Sequence, residues 1–199
     1  KSVTFMAIMG LLNRSYTQVE GEVRFRGHDL LTLDDRDMRS IRGDGIGMVF
    51  QDPMTSLHPL YRVGTQIVEA IQAHRAVPKD AAWDEAVEML RLVGIPSPKE
   101  RARAYPHELS GGMRQRVMIA MGLVLRPDLL IADEPTTALD VTVQAQILDL
   151  IEDLKHELNI GVVLISHSLG VIADVCQRVM VMYAGRAVEL GSRDEVFMQ

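Results

Sequence analysis

Leu129-Leu130-Ile131-Ala132-Asp133-Glu134-Pro135 is an apolar run that stops at two adjacent carboxylates and a proline. Four consecutive large or small apolar residues predict a strand covered on both faces of a parallel sheet. In open α/β sheets, ligands bind beyond the carboxyl ends of the strands, so the two acids are placed where a ligand sits. One carboxylate at such a position suits Mg²⁺, which takes few carboxylates and completes its shell with water and phosphate oxygens. The other suits a base that orients or deprotonates an attacking water. The plainer alternative is an acidic pair that only caps a strand.

Moving outward, Val162 to Ser166 is a second nearly unbroken apolar run. Between the two runs, Val141 to Leu158 carries Ile147, Leu150, Ile151, Leu154 and Leu158 at helical spacing. A strand, a helix and a strand predict a right-handed crossover, and hence an α/β core. Further strands are expected at Gly21 to Arg26, Gly45 to Gln51, Val179 to Tyr183 and Arg186 to Leu190. Val19 to Gly27 followed by Asp29 to Leu33 suggests a short antiparallel sheet. Residues 53 to 125 read differently: Val63 to His74, Ala81 to Val93 and Ser110 to Leu125 have helical periodicity, with turns at Pro78, Gly94-Ile95-Pro96 and Tyr105-Pro106. The expected organisation is one α/β domain over 1–199, with an antiparallel flank at about 18–50, a helical lobe at about 53–125 and the core at 126–199.

Several other residues stand where such a site needs them. Lys1-Ser2 precedes a helix expected over Val3 to Leu12. In the phosphate-cradling motif G-x-x-x-x-G-K-[ST], the lysine meets the β- and γ-phosphates and the hydroxyl meets Mg²⁺. The glycines of that motif are not in the chain, and the dipeptide alone is no motif. Leu109-Ser110-Gly111-Gly112-Met113-Arg114-Gln115-Arg116 starts a helix with Ser110 as N-cap, and Gly111-Gly112 leave its first amides open to an anion. A simple capped helix start is the alternative. Gln51 ends a strand, where its amide reaches a metal or γ-phosphate. Asp140 precedes the helix at Val141 and serves equally as its N-cap. His167 closes the strand Val162 to Ser166, although a lone histidine at a strand end is more often structural.

Bulk properties narrow the class. The chain has 199 residues, a formal net charge of −6 and 24% charged residues, without a lysine-arginine block. That argues against broad electrostatic binding to nucleic acid, which needs a basic face. Cys176 is the single cysteine, which excludes an internal disulfide or a cysteine-clustered metal site, and its apolar neighbours predict a buried thiol. A reducing compartment fits. No apolar run approaches the roughly 20 residues that span a bilayer, and no signal peptide is read from the start at Lys1-Ser2.

Taken in order, these segments resemble the ABC ATPase family. Lys1-Ser2 resembles the tail of the Walker A loop and Gln51 the Q-loop glutamine. Leu109 to Gln115 resembles the signature motif, and Leu129 to Glu134 resembles Walker B. Ala138-Leu139-Asp140 is similar to the D-loop and His167 to the switch histidine. The resemblance implies a P-loop NTPase core with a mostly parallel sheet, a small antiparallel β flank and an inserted helical lobe. It implies ATP and Mg²⁺ as ligands and a head-to-tail pair of subunits. Lys1, Ser2, Gln51, Asp133, Glu134 and His167 would serve one nucleotide, with Ser2, Gln51 and Asp133 on the metal. Ser110, Gly112 and Asp140 would serve the nucleotide across the interface, and Gly111 and Gln115 would also be nucleotide-binding. Glu134 would be the principal catalytic carboxylate, with His167 holding the γ-phosphate and the attacking water.

Phe50-Gln51-Asp52-Pro53-Met54-Thr55-Ser56-Leu57-His58-Pro59 and Val181-Met182-Tyr183-Ala184-Gly185-Arg186 are similar to ATPase subunits of bacterial dipeptide, oligopeptide and nickel importers. This implies integral-membrane permease partners, a second ATPase subunit (identical or related), indirectly a solute-binding protein, and no nucleic acid. The implied place is the cytoplasmic face of the inner membrane, held peripherally. The alternative is an ABC ATPase outside transport, in DNA repair or on the ribosome; the coiled-coil, zinc-binding or tandem insertions of those classes are not visible. The sequence departs from the family in lacking the adenine-stacking strand, the phosphate-loop glycines and the C-terminal extension with its cysteine-rich segment. Ser168 also stands where an aspartate commonly follows the switch histidine. Poor ATP binding and an inactive fragment are therefore expected of the chain as it stands.

Overall fold

The structure is a computed structural model that describes residues 1–13, 15–137 and 139–197. The chain divides into two compact units. One is Ser40–Val163, and the other is discontinuous, made of Lys1–Arg39 with Leu164–Gln199.

In Ser40–Val163, strand β3 (Ile46–Val49) pairs in parallel with β4 (Leu129–Asp133), Ile46 opposite Leu129 and Val49 opposite Ala132. The three-stranded sheet runs β3-β4-β5, with β5 at Gly161–Ile165. Helix α8 (Val141–Leu158) connects β4 to β5, as its apolar stripe predicts; Ile147, Ile151 and Leu154 are buried. Leu130, Ile131 and Ala132 of β4 are almost wholly buried, the two-sided cover that a continuous apolar strand implies. β5 differs, since Val162, Val163 and Leu164 are only half-buried. β3, expected within the antiparallel flank, instead belongs to the parallel sheet.

Helices α3 (Pro53–Ser56), α4 (Val63–His74), α5 (Lys79–Leu92), α6 (Pro98–Arg101) and α7 (Gly111–Leu123) form the helical part. Ile67, Ile71, Leu90, Ile119 and Leu123 are its fully buried anchors. Helix α7 also lies on β3. Two glycines make that contact possible: a Cβ on Gly47 would sit 2.1 Å from the Gly122 carbonyl oxygen.

In the other unit, α1 (Ser2–Ile8) is shorter than the helix expected over Val3 to Leu12. The antiparallel flank is a small hairpin, β1 (Arg24–Phe25) with β2 (His28–Asp29). Its two loop residues, Arg26 and Gly27, have φ of 48° and 81°. Positive φ at both central residues is the turn whose twist suits a two-residue hairpin. The long strand expected from Gly21 is cut back because Gly21 itself has φ 120°. Residues 30–32 form a 3-10 turn capped by the Asp29 carboxylate, and α2 (Asp35–Ile41) follows. β6 (Arg178–Tyr183) and β7 (Arg186–Ser192) form a second hairpin, closed by Ala184 (φ 46°) and Gly185 (φ 80°). Helices α9 (Leu169–Val175) and α10 (Arg193–Phe197) complete it. Cys176, expected to be buried, is half-buried at the end of α9.

Candidate functional site

β4 delivers the two carboxylates to the carboxyl end of the sheet. Asp133 is its last residue and is 4% exposed, while Glu134 is half-buried just beyond. Glu134 has a left-handed backbone, φ 47°, immediately before Pro135. Left-handed backbone costs a non-glycine residue roughly 1–3 kcal/mol and persists where the surroundings over-determine it. They do so here. The Thr137 amide donates to the Glu134 carbonyl at 3.1 Å, closing a turn with Pro135 at its second position. The Glu134 side chain is held as well: Gln51 Nε2 donates to Oε2 at 2.8 Å and Thr137 Oγ1 to the same oxygen at 3.0 Å.

Gln51 lies two residues beyond β3, the neighbour of β4, so parallel pairing brings it to Glu134 from 83 residues away. An ionised carboxylate only accepts hydrogen bonds, so the Gln51 nitrogen must face Glu134. The amide oxygen of Gln51 is thereby committed to a different direction. A carboxylate and an amide oxygen are hard oxygen donors, of the kind that suits Mg²⁺ rather than zinc or copper.

Ser110 and Asp140 are helix N-caps. The Ser110 hydroxyl accepts from the Met113 amide at 3.3 Å, and the Asp140 carboxylate accepts from the Val143 amide at 3.0 Å. Gly111 and Gly112 open α7, and a Cβ on Gly112 would lie 2.8 Å from Val143 Cγ1. The two capped helix starts therefore meet side by side, each presenting main-chain N–H groups and a positive dipole end. Gln115 is 2% exposed, and its Nε2 is a buried side-chain polar atom without a hydrogen-bond partner. Ala138 of the expected D-loop lies outside the described residues.

Lys1, Ser2 and His167 belong to the discontinuous unit. Lys1 Nζ donates to the Ser166 carbonyl at 2.7 Å, which sets the lysine beside the segment that carries His167. Ser2 is the first residue of α1, and His167 is exposed two residues past β5. The contact that sequence reasoning missed is Thr137. Its signal was the spacing itself, a hydroxyl three residues after the acid and two after a turn-forming proline.

Comparison with known proteins shows the family. The ABC transporter family model matches residues 1–137. A probable peptide ABC transporter ATP-binding protein of Sinorhizobium fredii is 58% identical over 99% of this chain and 59% of its own length. The dipeptide transport ATP-binding protein DppD of Bacillus subtilis is 54% identical over 100% of this chain and 60% of its own length. The chain thus spans less than two thirds of these relatives. Among solved structures, the dimeric ATP-binding cassette MJ0796 bound to ADP and Pi superposes with a TM-score of 0.80. It is 30% identical, over 96% of this chain and 80% of the other. With its paired acids at the end of β4, its Gly-Gly helix start and a match over most of its length, the chain belongs to the ABC transporter family.

Proposed function

We propose that this chain is the nucleotide-hydrolysing part of an ATP-binding subunit that powers a bacterial importer of peptides, or of a related small solute such as nickel. The observation that carries the proposal is the hydrogen bond from Gln51 to Glu134 beside the buried Asp133. It joins the ends of two neighbouring strands at the edge where α/β sheets bind ligands.

Glu134 is the general base. Its carboxylate takes a proton from water as the water oxygen bonds to the γ-phosphorus and the bond to the β-phosphate oxygen breaks, leaving ADP and phosphate. His167 holds the γ-phosphate and orients that water. Lys1 meets the β- and γ-phosphates. Asp133, the oxygen of Gln51 and the Ser2 hydroxyl would hold Mg²⁺, which would supply neutralisation of the charge on the phosphate oxygens. Ser110, Gly111, Gly112 and Asp140 bind the nucleotide of a second ATPase subunit, identical or related; Gln115, expected among them, is 2% exposed in α7 and too buried to touch it. The paired starts of α7 and α8 support that role, because adjacent N-terminal amides attract phosphate.

The partners are integral-membrane permease subunits and, through them, a solute-binding protein, with the ATPase held peripherally on the cytoplasmic face of the plasma membrane. Among the described residues no helix is long and apolar enough to cross a membrane. Support for a permease contact comes from residues 50–61, where Met54, Leu60 and Tyr61 are 56%, 77% and 50% exposed. Gln66 clamps this segment through hydrogen bonds with the His58 amide and carbonyl and the Tyr61 carbonyl, so the apolar side chains are presented on a fixed loop.

The test is Glu134→Gln in the full-length subunit, with ATP hydrolysis and nucleotide-dependent dimerisation measured together. Loss of a general base lowers kcat by about 10²–10⁴-fold, and ATP should accumulate in a closed dimer seen by size-exclusion chromatography. Near-normal hydrolysis removes Glu134 from this role.

A further inference from the structure

From the geometry around Glu134 we infer that Thr137 is a positioning residue for hydrolysis: its hydroxyl sets the orientation of the Glu134 carboxylate without touching nucleotide. The inference rests on the reading of Glu134 as the base.

Three observations carry it. The turn that begins at Glu134 returns the chain so that Thr137 lies against its first residue, closed by the 3.1 Å main-chain hydrogen bond. The Thr137 hydroxyl then donates to Glu134 Oε2 at 3.0 Å, the oxygen that also receives Gln51 Nε2 at 2.8 Å. Two donors from separate segments on one oxygen fix the plane of the carboxylate, and with it the direction of Oε1. Finally, Glu134 sits in left-handed backbone, φ 47°. Its side chain therefore leaves the main chain at an angle that ordinary strand or helix geometry does not supply, and orientation has to come from local contacts.

The two donors are not equivalent. Gln51 reaches Glu134 from 83 residues away and moves with whatever moves the loop after β3. Thr137 is bonded to the same turn as the acid and moves with it. The hydroxyl thus keeps the carboxylate aimed when the Gln51 contact lengthens, and its loss is felt in the chemical step. A base that is present but misdirected loses rate without losing substrate affinity, because orientation matters only where the proton is transferred.

The experiment compares wild type, Thr137→Val, Thr137→Ser and Glu134→Gln in the full-length subunit, with kcat, KM and the equilibrium Kd for MgATP measured for each. Valine keeps the shape of threonine and removes the donor; serine keeps the donor. Thr137→Val is expected to lower kcat about tenfold with KM and Kd within twofold of wild type, and Thr137→Ser to recover most of the loss. An unchanged kcat for Thr137→Val, a loss confined to KM and Kd, or a Ser variant as slow as the Val variant overturns the positioning role. If Glu134→Gln abolishes turnover while Thr137→Val is neutral, only the inference about Thr137 falls. If Glu134→Gln turns over normally, the role of Glu134 falls and takes that of Thr137 with it.

Discussion

Gly47 and Gly170 show how differently one residue type is constrained in this protein. A Cβ on Gly47 would sit 2.1 Å from the Gly122 carbonyl oxygen, a main-chain atom that moves only if α7 moves away from β3. Gly170, near the start of α9, has nothing within 4 Å of the same construction. Overpacking a filled interior costs typically about 1–3 kcal/mol and occasionally more; Gly47→Ala belongs at or above the top of that range. Gly170→Ala should instead stabilise by roughly 0.5–1 kcal/mol, since alanine is the better helix former and loses less backbone entropy. Denaturant unfolding of both variants checks the pair, and equal effects would contradict the packing of β3 on α7. No sequence feature marks this contact. Gly47 reads as one more small residue in an apolar strand, and the partner that makes it indispensable lies far along the chain. The acids were legible for the opposite reason: charge at the end of an apolar run is anomalous without any knowledge of neighbours. Thr137 was not, because a threonine after a turn is ordinary until its hydroxyl is seen on Glu134.

Helices and strands were legible in proportion to their period. α4 spans the Val63–His74 expected from its apolar spacing, and the caps of α7 and α8 fall on Ser110 and Asp140. The first hairpin was less so, because β1 and β2 contain two residues each and no period can be read from two residues, whereas β6 and β7 fall where Val179 to Tyr183 and Arg186 to Leu190 were expected. What defines both hairpins is the pair of left-handed residues between their strands. At the second hairpin those are Ala184 and Gly185, and Ala184 has a side chain that disfavours φ 46°. Asparagine tolerates that conformation, and Asn-Gly is a preferred pair for this turn. Ala184→Asn should therefore raise stability by about 0.5–1 kcal/mol, on the scale of a well-matched turn substitution. At the start of α8, Asp140→Ala should lower stability by about 1 kcal/mol, while Asp140→Ser keeps most of the cap. Thermal unfolding distinguishes these signs, and a neutral Asp140→Ala would mean that the bond to Val143 does not hold the helix start.

At the scale of the molecule, the α/β class followed from the order strand, helix, strand, but the partition into two units did not. A unit assembled from Lys1–Arg39 and Leu164–Gln199 depends on contacts between distant segments, which local pattern does not encode. Partners belong to this scale too. The full-length subunit, purified by affinity from detergent-solubilised membranes, is expected to bring down multi-spanning permeases and a second ATPase, identified by mass spectrometry. Recovery only with ribosomes or DNA would remove the importer. The pairing of β3 with β4 has a further consequence for synthesis. Ile46 leaves the ribosome long before Leu129, its partner in the register, and in that interval β3 is an apolar strand with both edges open. Helix α7 precedes β4 in the chain and packs on β3. Because α7 ends at Leu123 and β4 begins at Leu129, the face cover and the edge partner of β3 become available almost together, and β3 waits uncovered while the helical segment is made.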